Sequence, residues 1–152
     1  MIIEVSGETQ TKAFGARLGS LLKGNEIIEL VGDVGAGKTT LTKGIAEGLA
    51  IDEDIQSPSF TISRVYDGRD SLHLSQYDFY RLQDAGIMAN ELEETLHDLK
   101  TVTIIEWAEI IAGVLPDDRL TITLTSTPND EQARRIKVAA GGSKSRQLME
   151  RL

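Results

Sequence analysis

Apolar residues along this chain recur in two periods, and the alternation between them lays out the elements. Met1 to Val5 reads as a short strand. Phe14, Leu18, Leu21 and Leu22 then form a helical stripe, with Ser6 placed to cap the helix and Gly24 to stop it. Thr9 and Thr11 near its start read as surface or capping residues. The run Ile27-Ile28-Glu29-Leu30-Val31 is short and β-branched enough for a buried strand. Beyond it Leu41, Ile45 and Leu49 fall at i, i+4, i+8 on one face of a helix from Lys38 to Leu49. The acidic stretch Ala50 to Gln56 is a solvated connection. Ile62 to Tyr66 and Ser71 to Tyr77 read as a hairpin about Asp67-Gly68-Arg69-Asp70.

Met88, Leu92, Leu96 and Leu99 align on a helix from Ile87 to Leu99, whose Glu91, Glu93 and Glu94 face water. Thr101 to Ile105 is a buried-type strand ending at Glu106-Trp107, and a short helix through Ile110, Ile111 and Val114 stops at Pro116. Arg119 to Thr125 and Arg134 to Ala140 alternate like paired strands across the turn Thr127-Pro128-Asn129-Asp130. Ser143 is placed to cap a closing helix carrying Leu148, Met149 and Leu152. Strands alternating with helices, then a terminal hairpin, predict an α/β layer around a mixed, mainly parallel sheet, in a single domain over residues 1–152.

Composition narrows the function more than the fold. A net charge of −8 argues against an autonomous nucleic-acid or anionic-membrane binder, which needs a basic footprint. The absence of cysteine excludes disulfides, thiolate metal sites and a cysteine nucleophile. Met1-Ile2-Ile3-Glu4-Val5 does not read as a signal peptide and no apolar run approaches a membrane span, so a cytoplasmic protein is expected.

The candidate chemistry sits between the second strand and the second helix. Gly32-Asp33-Val34-Gly35-Ala36-Gly37-Lys38-Thr39 completes G-x-x-x-x-G-K-[ST], and strand, glycine-rich turn, helix is the context that makes this pattern a phosphate site. The glycines let backbone N–H groups close around an anion, and the helix N-terminus adds donors and a positive dipole end. Asp33, Val34, Gly35, Ala36, Gly37, Lys38, Thr39 and Thr40 are therefore expected to bind a nucleoside triphosphate. Lys38 would reach the β- and γ-phosphates and the Thr39 hydroxyl would ligate Mg²⁺. That hard cation wants further oxygen ligands at strand ends facing the loop. Glu106, ending an apolar strand, and Asp78, ending the strand of Leu72, Leu74 and Gln76, are the two candidates. His73 and His97 have no partner motif, and Trp107 reads as packing beside a metal acid. No N-K-x-D or following D-x-x-G is present, which argues against a Ras-type GTPase. Arg64, Arg69 and Arg81 are scattered, and Arg134, Arg135 and Lys137 lie far along the chain, so no phosphate-clamping lid is visible.

Taken in order, the P-loop through Thr40, Ser57-Pro58-Ser59-Phe60-Thr61, Tyr77-Asp78-Phe79-Tyr80-Arg81-Leu82 and Ile105-Glu106-Trp107 resemble the TsaE (YjeE) family, small bacterial ATPases required for threonylcarbamoyladenosine (t6A) on tRNA. The resemblance runs from Thr11 through Trp107 and weakens after Pro116. It implies a P-loop NTPase fold, ATP with Mg²⁺, and partnership with TsaD and TsaB, with ATP hydrolysis resetting their complex between turnovers and tRNA met only through that complex. It also implies that Lys38 contacts phosphate, that Thr39 and Glu106 hold the metal, and that Asp78 supports metal or water positioning. By the same resemblance, Thr11 belongs to the adenine end and Ser57, Ser59 and Thr61 to a nucleotide-responsive switch loop. Gln76 stands where the family usually has His, and Ser59 where threonine is common. Two other readings remain from the residues themselves: a small-molecule kinase on the same P-loop, and a nucleotide-binding regulator without hydrolysis. The expected enzyme is an ATPase of low intrinsic activity, stimulated by its partners.

Overall fold

In the computed structural model, which describes residues 1–33, 35–56, 63–80, 86–111 and 113–152 apart from the side chains of Ile87 and Ile110, one seven-stranded sheet carries all the strands. The elements run in the order β1 (Ile2–Val5), α1 (Glu8–Leu21), β2 (Ile27–Val31), α2 (Lys38–Gly48), β3 (Ser63–Asp67), β4 (His73–Asp78), α3 (Gly86–Leu96), β5 (Thr101–Glu106), β6 (Leu120–Thr127), β7 (Asp130–Ala140) and α4 (Ser143–Glu150), with short 3₁₀ turns at Arg69–Ser71 and Ala108–Ile111. The strand order is β1-β7-β6-β2-β5-β4-β3. β6, β2, β5 and β4 are mutually parallel, while β7 and β3 run against them. β1 is antiparallel to β7 and so shares the direction of the central four, which makes the sheet mixed and mainly parallel as the pattern predicts.

Side-chain alternation assigns the two faces. Leu30, Ile28, Ile104, Val102, Leu74, Ile122, Leu124, Ile136 and Val138 point to the side covered by α1, α2 and α4. Ile27, Ile105 and Tyr77 point the other way, onto Leu92 and Leu96 of α3 and onto Ile111 and Leu115. β5, at the centre of the helix-covered region, is therefore buried at all six positions.

α1 and α2 meet backbone to backbone. A Cβ at Gly15, Gly19, Gly44 or Gly48 would run into a main-chain atom of the facing helix: Leu41, Ile45, Lys12 and Ala16 supply the obstructing carbonyls. Arg69, in the β3–β4 turn, ties off the same pair at the far end, donating to the carbonyls of Gly19 and Ser20 in the last turn of α1, of Leu22 just after it, and of Gly48 in α2. An arginine fork is suited to orphan C-terminal carbonyls.

Three boundaries differ from the local expectation. α1 begins after Gly7 with no side-chain cap, and Ser6 instead takes the Gln10 side chain on its own N–H. α3 stops at Leu96 because the Asn25 amide takes the Leu96 and Asp98 carbonyls, leaving Leu99 outside the helix and 75% exposed. Ser143 is the first residue of α4 rather than its cap. Asp118, from the loop before β6, accepts the N–H groups of Lys144 and Ser145 and the Ser145 hydroxyl. That hydroxyl, then the Ser145 and Lys144 amides, hold the Asp118 carboxyl below its usual range. No helix among the described residues is long and apolar enough to cross a membrane.

Candidate nucleotide site

The parallel strands β2, β5 and β4 end side by side, and the segments beyond those ends build one cleft. β2 runs into the glycine-rich turn, where Gly35 (φ 86°) and Gly37 (φ 107°) adopt left-handed backbone that a side chain would strain, and α2 begins directly at Lys38. Asp78 and Glu106 are register partners on β4 and β5, so their side chains emerge together on the α1/α2 face. The cleft, about 470 Å³, is lined by Gly35, Gly37, Lys38, Thr39, Thr40, Asp78, Tyr80, Glu106 and Trp107. It is also lined by Gly7, Glu8 and Thr11 at the start of α1 and by Glu131, Gln132 and Arg134 at the start of β7.

Charge is concentrated where water is scarce. Lys38, Asp78 and Glu106 are each less than a tenth exposed. Lys38 Nζ lies 3.6 Å from Glu106 Oε1 and 4.3 Å from the centre of the Trp107 ring, an ion pair and a cation–π contact on one ammonium. Glu106 Oε2 is closed to solvent and has no hydrogen-bond partner among the described residues. Burial first, then the Asp78 carboxylate, push the Glu106 pKa up, and Lys38 offsets this only in part. A buried carboxylate oxygen with no donor, next to a second carboxylate, is the donor chemistry a hard divalent cation takes. No cluster of three or more metal-ligating side chains occurs among the described residues. The paired carboxylates of Asp78 and Glu106 have the donor chemistry that Mg²⁺ takes, one or two carboxylates together with phosphates and water. Trp107 itself is left-handed (φ 57°), a conformation costly for a bulky side chain, and its ring lies 4.8 Å from that of Tyr80. The Tyr80 N–H in turn donates to Asp78 Oδ1 at 2.9 Å.

Of the residues singled out in the sequence, the structure brings Thr11, Gly35, Gly37, Lys38, Thr39, Thr40, Asp78 and Glu106 to this cleft. Thr11 is buried rather than on the surface. Asp33 and Ala36 belong to the loop without lining the cleft; the Asp33 carbonyl accepts the Ala36 N–H and closes the turn. Val34, Ser57, Ser59 and Thr61 lie outside the described residues. Gln76 is fully buried on the same face as Asp78, and neither end of its amide has a partner among the described residues. Leaving such a group unpaired costs on the order of 1–3 kcal/mol.

Sequence reasoning missed the wall made by Glu131, Gln132 and Arg134. Arg134 donates from Nε to the Ala36 carbonyl (3.2 Å) and from Nη2 to that of Gly35 (3.4 Å), while Nη1 takes the Glu131 and Ala133 carbonyls. The available signal was the β6–β7 hairpin, whose strands extend to Thr127 and Asp130 and reach over the P-loop.

Known proteins resemble this chain along most of its length. The family model described as "Threonylcarbamoyl adenosine biosynthesis protein TsaE" matches residues 5–136. A Bacillus subtilis protein named "tRNA threonylcarbamoyladenosine biosynthesis protein TsaE" is 40% identical over 144 residues, 94% of this chain and 87% of that protein. A Streptomyces coelicolor protein of the same name is 32% identical over 88% of this chain and 92% of its own length. The crystal structure of YdiB from B. subtilis superposes with a TM-score of 0.81 at 33% identity, covering 99% of this chain and 91% of that one. With the family model spanning β1 to β7 and relatives above 30% identity over nearly the whole length, this chain belongs to the TsaE family.

Proposed function

We propose that this protein binds and hydrolyses ATP with Mg²⁺ as an accessory ATPase of t6A biosynthesis on tRNA, working on a TsaD–TsaB complex rather than on tRNA directly. The observation that carries the reading is the convergence of Lys38, Glu106 and Asp78 at the mouth of the P-loop. The names of the relatives point to the pathway, and the net charge of −8 favours tRNA being held by other subunits.

In this reading Lys38 exchanges its contacts with Glu106 and Trp107 for the β- and γ-phosphates. Glu106, released from that ion pair, and the Thr39 hydroxyl hold the metal. Asp78, beside Glu106 in register, orients a water or supports the metal. Thr11 and the start of α1 border the adenine end. A Mg²⁺ held by Glu106 and Thr39 would supply positive charge to offset the negative charge that develops on the phosphates. Hydrolysis by the isolated chain is slow, because Arg134, the arginine lining the cleft among the described residues, donates to main-chain carbonyls of the loop and hairpin. An arginine delivered to the γ-phosphate in other P-loop enzymes is worth about 10³–10⁵ in rate.

Steady-state phosphate release, measured for the wild type and Lys38→Ala with and without purified TsaD–TsaB, tests this. The expected outcome is a low basal rate, stimulation by the partners, and loss of both in Lys38→Ala. A lone chain already at its maximal rate, or phosphate appearing on a small metabolite, overturns the reading.

A further inference from the structure

We infer that Arg134 is a positioning residue that presets the phosphate-binding amide of Gly37 from outside the loop; the inference rests on the nucleotide reading above. The carbonyl of Ala36 and the N–H of Gly37 belong to one planar trans peptide and so point in opposite directions. Arg134 Nε holds that carbonyl at 3.2 Å on one side, so the Gly37 N–H is turned away from the guanidinium, and Gly37 lines the cleft. The preceding peptide is fixed at both ends: its carbonyl, on Gly35, takes Arg134 Nη2, and its N–H, on Ala36, closes the turn onto Asp33. Two consecutive peptide planes of the phosphate loop therefore take their orientation from a residue nearly a hundred positions away.

Arg134 is itself anchored for this. Its backbone pairs with Val5 on one side and Ser126 on the other, and the register slips between Ser126 and Thr127. Such an irregularity bends the strand and re-aims the side chains beside it. Nη1 on the Glu131 and Ala133 carbonyls fixes the remaining arm of the fork. Val5 leads directly into Gly7 and Glu8, and Glu131 and Gln132 belong to the same strand end as Arg134. One guanidinium thus joins the hairpin to the P-loop, on a residue whose backbone also pairs with the strand leading into α1. A lysine keeps the charge, but its three donors radiate from one nitrogen, so it cannot span the two loop carbonyls and the strand end as the planar fork does.

The test is calorimetric titration of the full chain with ADP and Mg²⁺ for the wild type, Arg134→Ala, Arg134→Lys and Arg135→Ala. Arg135 is the neighbouring control, since its guanidinium pairs with Glu4 and has no hydrogen bond to the described residues of the loop. The affinity of Arg134→Ala is expected to fall about tenfold, the equivalent of one charge-assisted hydrogen bond. Arg134→Lys should recover only part of that loss, and Arg135→Ala should match the wild type. The ratio of wild-type to Arg134→Ala affinity should hold between low and high salt, because positioning is not screened. In nucleotide-free protein, the Gly37 amide resonance should move in Arg134→Ala and stay in place in Arg135→Ala.

Full affinity in Arg134→Lys, or a deficit that disappears in high salt, would show charge alone at work and overturn the inference. So would an unmoved Gly37 resonance in Arg134→Ala. If the wild type binds ADP and Arg134→Ala binds it equally well, this inference alone falls. If the wild type binds no nucleotide, the nucleotide reading falls and takes the inference with it.

Discussion

The two faces of the sheet are packed by different means. On one, α1 and α2 approach through four glycines until main chain touches main chain, and the starts of both helices, at Gly7–Thr11 and Lys38–Thr40, become walls of one cleft. On the other, α3 rests on the sheet through Leu92, Leu96 and Tyr77, large side chains that fill volume. Side chains can shift rotamers and absorb a change close to where it is made; a contact between two backbones cannot. The glycine face should therefore pass a perturbation on to the site, and the α3 face should confine it.

The largest effect on stability is expected on the confining face. Leu92→Ala removes a fully buried side chain and should cost about 3 kcal/mol by leaving a cavity under α3. Nucleotide affinity should change less than twofold, by the same logic of local relaxation. Urea unfolding together with ADP titration checks both, and a large loss of affinity would break the contrast between the faces. Gly44→Ala is the reciprocal case. Its new methyl meets the Lys12 carbonyl and nothing flexible. A cost of about 2 kcal/mol is expected, together with several-fold weaker ADP binding as Thr11 moves relative to the loop. Wild-type affinity in Gly44→Ala would show that the seam does not communicate with the cleft.

The smallest effect separates the faces by pH. Glu106 holds its proton more tightly in the folded chain than in the unfolded one, because burial and Asp78 raise its pKa above the ordinary 4.5. In nucleotide-free protein its contribution to stability is thus present below that value and declines as pH rises through the raised one. Under the proposed function, Mg²⁺-dependent nucleotide binding would need the carboxylate and is expected to weaken as pH falls through the same window. The α3 face is silent there: burial raises the Tyr77 pKa further above its ordinary 10.0. Urea midpoints across the acidic range should show the decline in the wild type and lose it in Glu106→Gln, whereas Leu92→Ala should keep it.

Much of the fold and the site is legible in the sequence because it is local. The P-loop, its strand and its helix are contiguous. The parallel strands ending in Asp78 and Glu106 announce themselves by their apolar runs, and pairing those strands makes the two carboxylates neighbours. The features that escape are long-range. Capping grammar looks only a few residues away, and so it points to Ser6 and Ser143. The partners that actually finish helix ends are Asp118 for α4, Asn25 for α3 and Arg69 for α1 and α2, each arriving from another element. Arg134 escapes for the same reason: its place depends on the order β7-β6-β2 and on a slipped register, neither of which periodicity encodes.

The pairing of β1 with β7 joins the first strand of the sheet to the last: Ile2 faces Lys137 and Val5 faces Arg134. During synthesis the P-loop strand and its helix emerge early, but β1 waits at the sheet edge until the final hairpin leaves the ribosome. Loop closure over such a span is entropically slow and comes after local elements have formed. A nascent chain ending before Asp130 therefore carries the Walker sequence without its outer brace or its hairpin wall. The cleft closes only once the β6–β7 hairpin has been made, so that wall comes nearly a hundred residues after the loop it completes.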